Sequence, residues 1–185
     1  SEVDNLSYME SPYYKSLNGL WKFKYVDNPS LTPPDFQNID FNADKWQEIQ
    51  VPGNSELQGF GIPVYVNTRN EFPSNPPYAP NQYNPVGCYI TDFTIPETWE
   101  GRRTIIKFGA VKSAILLYIN GKQVGYSEDS KTPAEWDITQ YLQPGNNRLA
   151  AKVFRWSDGS YLECQDMWRM SGITRDVALY SVPSS

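Results

Sequence analysis

The chain has no histidine among its 185 residues. That absence excludes Ser-His-Asp and Cys-His nucleophilic machinery and withholds the commonest zinc ligand. Cysteine is almost as scarce. Cys88 and Cys164 are too few for a four-thiolate zinc site and too far apart for a CxxC redox motif. Composition alone allows one disulfide or two thiols. Cys88 opens a β-like run and Cys164 lies in an irregular stretch, and on that ground both are expected to be unpaired. No window approaches the roughly 18 consecutive apolar residues of a membrane-spanning helix, and no signal-like segment opens the chain. Basic residues are outnumbered, 16 Lys and Arg against 21 Asp and Glu, and the resulting charge of −5 argues against a nucleic-acid surface. The expectation is a soluble protein, cytoplasmic or periplasmic, with no membrane span and no nucleic-acid partner.

Aromatic residues, by contrast, reach 15%, beside 15 Pro and 12 Gly, which excludes disorder, collagen and coiled coil. The dominant signal is short β segments separated by turn residues. In residues 20–25 (LWKFKY), Trp21, Phe23 and Tyr25 alternate with Leu20, Lys22 and Lys24, placing the aromatics on one strand face. Residues 88–95 and 104–108 follow as strands. Residues 114–127 read as a hairpin, because Asn120-Gly121 supplies the positive φ of a tight turn between two apolar runs. Alternation around Leu149, Ala151 and Val153, and around Val177 and Leu179, predicts two more half-buried strands. Helical evidence is confined to possible turns in 34–46 and 139–142. Many short strands without helices between them predict an all-β, antiparallel β-sandwich of the jelly-roll type. Residues 1–185 read as a single domain with a short N-terminal arm over about 1–15.

Two stretches break the β rhythm. Residues 61–86 hold six prolines and five asparagines, and residues 155–172 (RWSDGSYLECQDMWRMSG) follow neither period. Such long irregular segments inside a domain are usually functional loops or disordered linkers, and the aromatic content of both argues for order. Without histidine, acid–base work would fall to carboxylates, which a glycosidase needs in a facing pair. Glu128, Asp129, Asp158, Glu163 and Asp166 are available. Adjacent strand residues face opposite ways, however, and acids of this kind usually cap turns or pair with arginines such as Arg155, Arg169 and Arg175. No catalytic constellation is assigned. The loops are better suited to carbohydrate, whose apolar ring faces and hydroxyl edges call for flat aromatics beside Asn, Asp, Arg and Gln. Trp156, Tyr161 and Trp168 stand with Asp158, Gln165, Asp166 and Arg169, and Tyr65, Asn67, Asn75, Tyr78, Gln82 and Tyr83 lie in the other stretch. A third possibility is docking of the Met- and Trp-rich loop on another domain, since Arg, Trp and Met are enriched at interfaces.

From SLNGLWKF (16–23) onward the chain resembles glycoside hydrolase family 2, specifically the N-terminal domain of its β-galactosidases. The resemblance continues through VPGNSELQGFGIPVYVN (51–67), NPPYAPNQYNPVGCY (75–89) and INGKQVGYSEDSKTPAEWDIT (119–139). It is most specific over 158–172, and it extends from about residue 11 to about 182. It implies a galactose-binding-domain-like jelly roll, the first domain of a longer glycosidase whose acid and nucleophile lie in a downstream (β/α)8 barrel. It further implies that such a domain scaffolds the enzyme and sends loop residues into the galactose subsite. The asparagine of the NPP motif, here Asn75, would contact galactosyl hydroxyls. The aspartate before MWRMSG, here Asp166, would help hold a sodium ion together with barrel ligands. Magnesium would belong to the barrel, and no cofactor is implied for this domain alone. The implied partners are β-galactoside carbohydrate and the other domains of the same parent chain. Cys164 departs from the family pattern, standing where a polar residue is expected. The alternative is a free-standing carbohydrate-binding module or interdomain docking sandwich of the same fold.

Overall fold

The structure is a computed structural model, and it describes residues 11–60, 84–128, 132–155 and 171–185, together with the backbone of Val64–Val66 and Met167–Arg169. Strands β1 (Tyr14–Ser16), β2 (Gly19–Val26), β3 (Gln47–Val51), β4 (Val64–Val66), β5 (Val86–Thr94), β6 (Arg103–Phe108) and β7 (Val111–Lys112) occupy the first part of the chain. Strands β8 (Ala114–Ile119), β9 (Lys122–Ser127), β10 (Ala134–Asp137), β11 (Asn146–Phe154), β12 (Met167–Arg169), β13 (Gly172–Ile173) and β14 (Val177–Val182) follow. Only single 3-10 turns interrupt them among the described residues, including one at Thr139–Tyr141 inside the stretch read as a possible turn. A six-stranded sheet has the order β3-β2-β5-β11-β8-β9, and a four-stranded sheet has the order β1-β14-β6-β10. Every pairing is antiparallel. Sequence neighbours are repeatedly separated within the sheets, so the chain crosses between layers as a jelly roll does.

Alternation builds the core as expected. Trp21 and Phe23 of β2, Tyr89 of β5, Leu117 and Ile119 of β8 and Leu149 of β11 face inward from the larger sheet. Ile106 and Phe108 of β6 and Val177 and Leu179 of β14 meet them from the smaller one. The polar ends of the buried indoles are satisfied: Trp21 Nε1 donates to the Leu17 carbonyl and Trp99 Nε1 to the Pro12 carbonyl, each at 2.8 Å. Tyr14–Ser16 is a strand, paired with Ala178–Tyr180 of β14.

The strands expected to be half-buried are more deeply placed. Leu149, Ala150 and Ala151 are consecutive buried residues of β11, and Val177, Ala178 and Leu179 of β14 are likewise buried. For β11 the cause is a second apolar cluster on the outer face of the six-stranded sheet. Phe36 and Ala43, from the connection between β2 and β3, pack there on Val26, Val86, Cys88, Ile90 and Ala150, with Phe41 and Trp46 at its margin. Burying a ring such as Phe36 is worth about 1.5–3 kcal/mol. Arg148 holds this flap down. It forks onto Asp92 at 2.9 and 3.2 Å while donating to the Asn38 carbonyl at 3.2 Å and to the Phe41 carbonyl.

The edges of the two sheets meet where β9 approaches β10. A Cβ on Gly125 would lie 2.1 Å from Trp136 Nε1, so the indole lies directly against bare backbone. The hairpin between β8 and β9 turns at Asn120-Gly121, with φ of 50° and 82°. Asn120 Nδ2 also donates to the Tyr141 carbonyl and to Asn147 Oδ1, and its Oδ1 accepts from the Arg148 amide. The turn is thereby fastened to β11.

Two outcomes are expected from this packing. Gly121→Val forces a β-branched residue to positive φ and places a Cβ 2.9 Å from Asn38 Oδ1; thermal or denaturant unfolding should show a loss of about 1–3 kcal/mol. Cys88 is a buried free thiol, and burial pushes its pKa from the ordinary 9.0 up to about 12, against the opposing charges of Lys152 and Lys24. Between those values the unfolded chain ionises first, so this thiol's contribution to stability is complete below about pH 9 and declines toward pH 12. Native Cys88 should resist iodoacetamide at pH 8 and react fully once the protein is denatured.

Candidate functional site

At one end of the six-stranded sheet, Phe154 closes β11 and is paired with Val86 at the start of β5 and with Ala114 at the start of β8. The next residue, Arg155, donates its backbone N–H to the Pro85 carbonyl at 3.0 Å. Residues 155 and 85 are the inner roots of the two stretches that break the β pattern. They lie side by side. The stretches are joined again by a two-stranded antiparallel ladder in which Val66, Tyr65 and Val64 pair with Met167, Trp168 and Arg169. Both segments therefore contain a short strand that their proline and polar content concealed.

A buried polar cluster lies at these roots. Val51 leads through a cis Val51-Pro52 bond into residues 53–55 and the 3-10 turn Glu56–Gln58, which ends at Gly59 in the left-handed conformation. This segment runs against 171–173. Gly53 N–H donates to the Ile173 carbonyl at 2.7 Å, and Ser55 N–H to the Ser171 carbonyl at 2.9 Å. The approach is close enough to exclude a side chain at Gly172, where φ is +136° and a Cβ would lie 2.6 Å from the Gly53 carbonyl oxygen.

The Glu56 side chain is fully shielded from water, and that of Arg155 is only 4% exposed. Oε2 of Glu56 accepts from the Ser171 N–H at 2.8 Å and from Ser55 Oγ at 3.1 Å. Oε1 accepts from Ser171 Oγ at 2.7 Å and stands 3.6 Å from Arg155 Nη1. Tyr89 is next to the cluster. Burial first, and then the Glu56 charge, push its phenol well above the usual tyrosine range, with a backbone hydrogen bond to Ile173 opposing them. Phe23 connects Tyr89 to Phe60 through edge-to-face contacts with centroids 4.8 and 4.5 Å apart.

The sequence-predicted site residues Asn75 and Asp166 lie outside the described residues, as do Cys164 and the side chains of Trp156, Tyr161 and Trp168. Among the described residues no group of three or more His, Cys, Asp or Glu side chains is placed to hold a metal ion. Of the acids considered from sequence, Glu128 accepts from the Tyr126 hydroxyl at 2.5 Å, a surface contact. Of the arginines expected to pair with acids, Arg155 does so, and its partner is Glu56, a residue that sequence reasoning missed. The available signal was Arg155 itself, a charge directly after Val153 and Phe154 and therefore in need of a countercharge if buried. A separate groove of about 670 Å³ lies on the outer face of the four-stranded sheet, lined by residues including Tyr14, Ile105, Lys107, Ala178 and Tyr180. None of its lining comes from 51–60 or 155–173.

The comparisons with known proteins agree with this architecture. The chain is 50% identical over 177 residues to a β-galactosidase of Priestia megaterium, covering 94% of this chain and 17% of that protein. A β-galactosidase of Photobacterium profundum is 52% identical over 170 residues, covering 91% and 16% respectively. The chain thus spans about one sixth of the length of these curated relatives. Among solved structures, a β-glucuronidase of Bacteroides uniformis superposes with a TM-score of 0.69 at 23% identity over 92% of this chain and 18% of that one, a likeness of fold. The sequence model described as "Glycosyl hydrolases family 2, sugar binding domain" matches residues 14–183, and the chain belongs to that family.

Proposed function

We propose that this sandwich is the first domain of a β-galactosidase-like hydrolase, and that its loops complete the galactose subsite of a catalytic barrel elsewhere in the parent chain. The observation that carries the reading is the meeting of the two loop roots. Arg155 bonds to Pro85, and the β4–β12 ladder ties Val66, from which the Asn75 loop departs, to Met167, the neighbour of Asp166. Two residues distant in sequence thereby belong to loops anchored at one place. Relatives near 50% identity that are β-galactosidases support the substrate class.

In this reading Asn75 offers amide donors and a carbonyl acceptor to sugar hydroxyls, which themselves donate and accept. Asp166, ionised, is acceptor-only and suits a hard monovalent cation that prefers oxygen. Sodium is held by Asp166 together with ligands from the barrel, and any magnesium belongs to the barrel. The hydrolytic acid and nucleophile also lie there, and the domain alone does not hydrolyse β-galactosides.

Substitutions in the full-length parent test this. Asp166→Asn keeps the shape and removes the charge. Turnover of a nitrophenyl galactoside should fall roughly tenfold or more, with a weakened sodium response, as for a lost interaction with a charged group of about 1.5–3 kcal/mol. Asn75→Ala should mainly weaken galactoside binding, by about 1–3 kcal/mol. If Asp166→Asn lowers the melting temperature and leaves the sodium response intact, Asp166 only shapes its loop and the proposal fails. Micromolar galactose binding by the isolated domain would instead favour a free-standing binding module.

A further inference from the structure

We propose that Glu56 is a positioning residue, a buried carboxylate that fixes the roots of both loops in one register. The inference rests on the galactose-subsite reading for its consequence in catalysis, though not for the anchoring itself.

The bonds of Glu56 lead to the places where both stretches leave the sandwich. Ser171 approaches one carboxylate with two donors, its N–H at 2.8 Å and its Oγ at 2.7 Å, which fixes both the position and the rotation of that residue. Ser171 is two residues beyond Arg169, the end of β12, and so marks the outer root of the 156–170 stretch. Arg155, which faces the same carboxylate, is the inner root of that stretch. The 3-10 turn that carries Glu56 leads directly to Phe60, whose N–H donates to the Ser55 carbonyl at 3.0 Å, and so to the start of the 61–83 stretch. The end of the 61–83 stretch is reached through the Arg155 N–H on the Pro85 carbonyl. One side chain is thus linked to all four loop roots.

A buried ion pair is weak evidence for stability, because desolvation offsets its Coulombic gain and an apolar replacement is often neutral or better. The core beside it is built from aromatics and aliphatics that pack without any charge. What a carboxylate supplies and an apolar side chain does not is direction: three hydrogen-bond donors converge on its two oxygens, the Arg155 guanidinium faces one of them, and the segments at 55–56, 155 and 171 are oriented together. The gain is register, at the place where the loops leave the sandwich.

The test is hydrogen–deuterium exchange on the full-length parent enzyme, paired with galactoside kinetics. Glu56→Leu should raise exchange across 61–83 and 156–170 about tenfold or more, while β5 and β11 exchange at the wild-type rate. KM should rise in parallel. Glu56→Gln keeps an acceptor for Ser171 and loses the charge opposite Arg155, so it should fall between wild type and Glu56→Leu in both measurements. Unchanged exchange in the two stretches overturns the proposal. A rise spread equally over β5 and β11 in both variants also overturns it, since the role is then one of general stability. If the loops loosen while kinetics stay at wild type, the subsite reading fails and the anchoring by Glu56 stands. If Asn75→Ala weakens binding while Glu56→Leu changes neither exchange nor KM, Glu56 is overturned and the subsite reading stands.

Discussion

The structure depends on a constraint at β11: this strand is covered on both faces. It forms nine register pairs with β5 and six with β8, so its position fixes the middle of the larger sheet. Its inner residues need the smaller sheet opposite them, and its outer residues need the flap that brings Phe36 and Ala43 across the back. Arg148, within the same strand, fastens that flap through backbone carbonyls, so the element that needs covering also holds its cover. Sheet pairing, flap and inner core are therefore one cooperative unit.

The C-terminal end of that strand is where the roots of the two loops are joined. Phe154 is still in register with both neighbours, and Arg155, one residue later, is already engaged with Pro85 and Glu56. A charged group buried at the limit of this strand would be costly if left alone. Here it is matched by a carboxylate from another part of the chain, and backbone bonds between 53–55 and 171–173 close the same region. The two stretches proposed to reach the galactose subsite begin just beyond this point, and the described residues join their roots.

Strands of full length were legible in the sequence because they alternate over five or more residues against a single core. β2, β6, the β8–β9 hairpin and β14 are of this kind, and Asn120-Gly121 declared its turn by its need for positive φ. Three-residue strands such as β1, β4 and β12 hold too few residues for a period to emerge, and their pairing partners are remote in sequence. The depth of β11 was hidden for a related reason: whether Ala150 faces water is decided by Phe36, which no local pattern connects to it. Glu56 was illegible on the same ground. A glutamate between serine and leucine looks like a surface residue until Arg155 and Ser171 are brought to it. The candidate site residues Asn75 and Asp166 were legible only through motif resemblance, since no periodicity singles them out.

The indole of Trp136 against Gly125 bears on how this sandwich tolerates neighbours. Strands at the borders of open sheets present unpaired amides and carbonyls, which recruit foreign strands. At this seam a ring from one sheet is laid over bare backbone of the other, at a spacing that no side chain at Gly125 could share. Two borders cover one another there, and the bulge between Leu117 and Tyr118 twists the adjoining β8–β9 ribbon out of flat register. Such a seam removes a template on which a foreign or still unfolded β segment could pair.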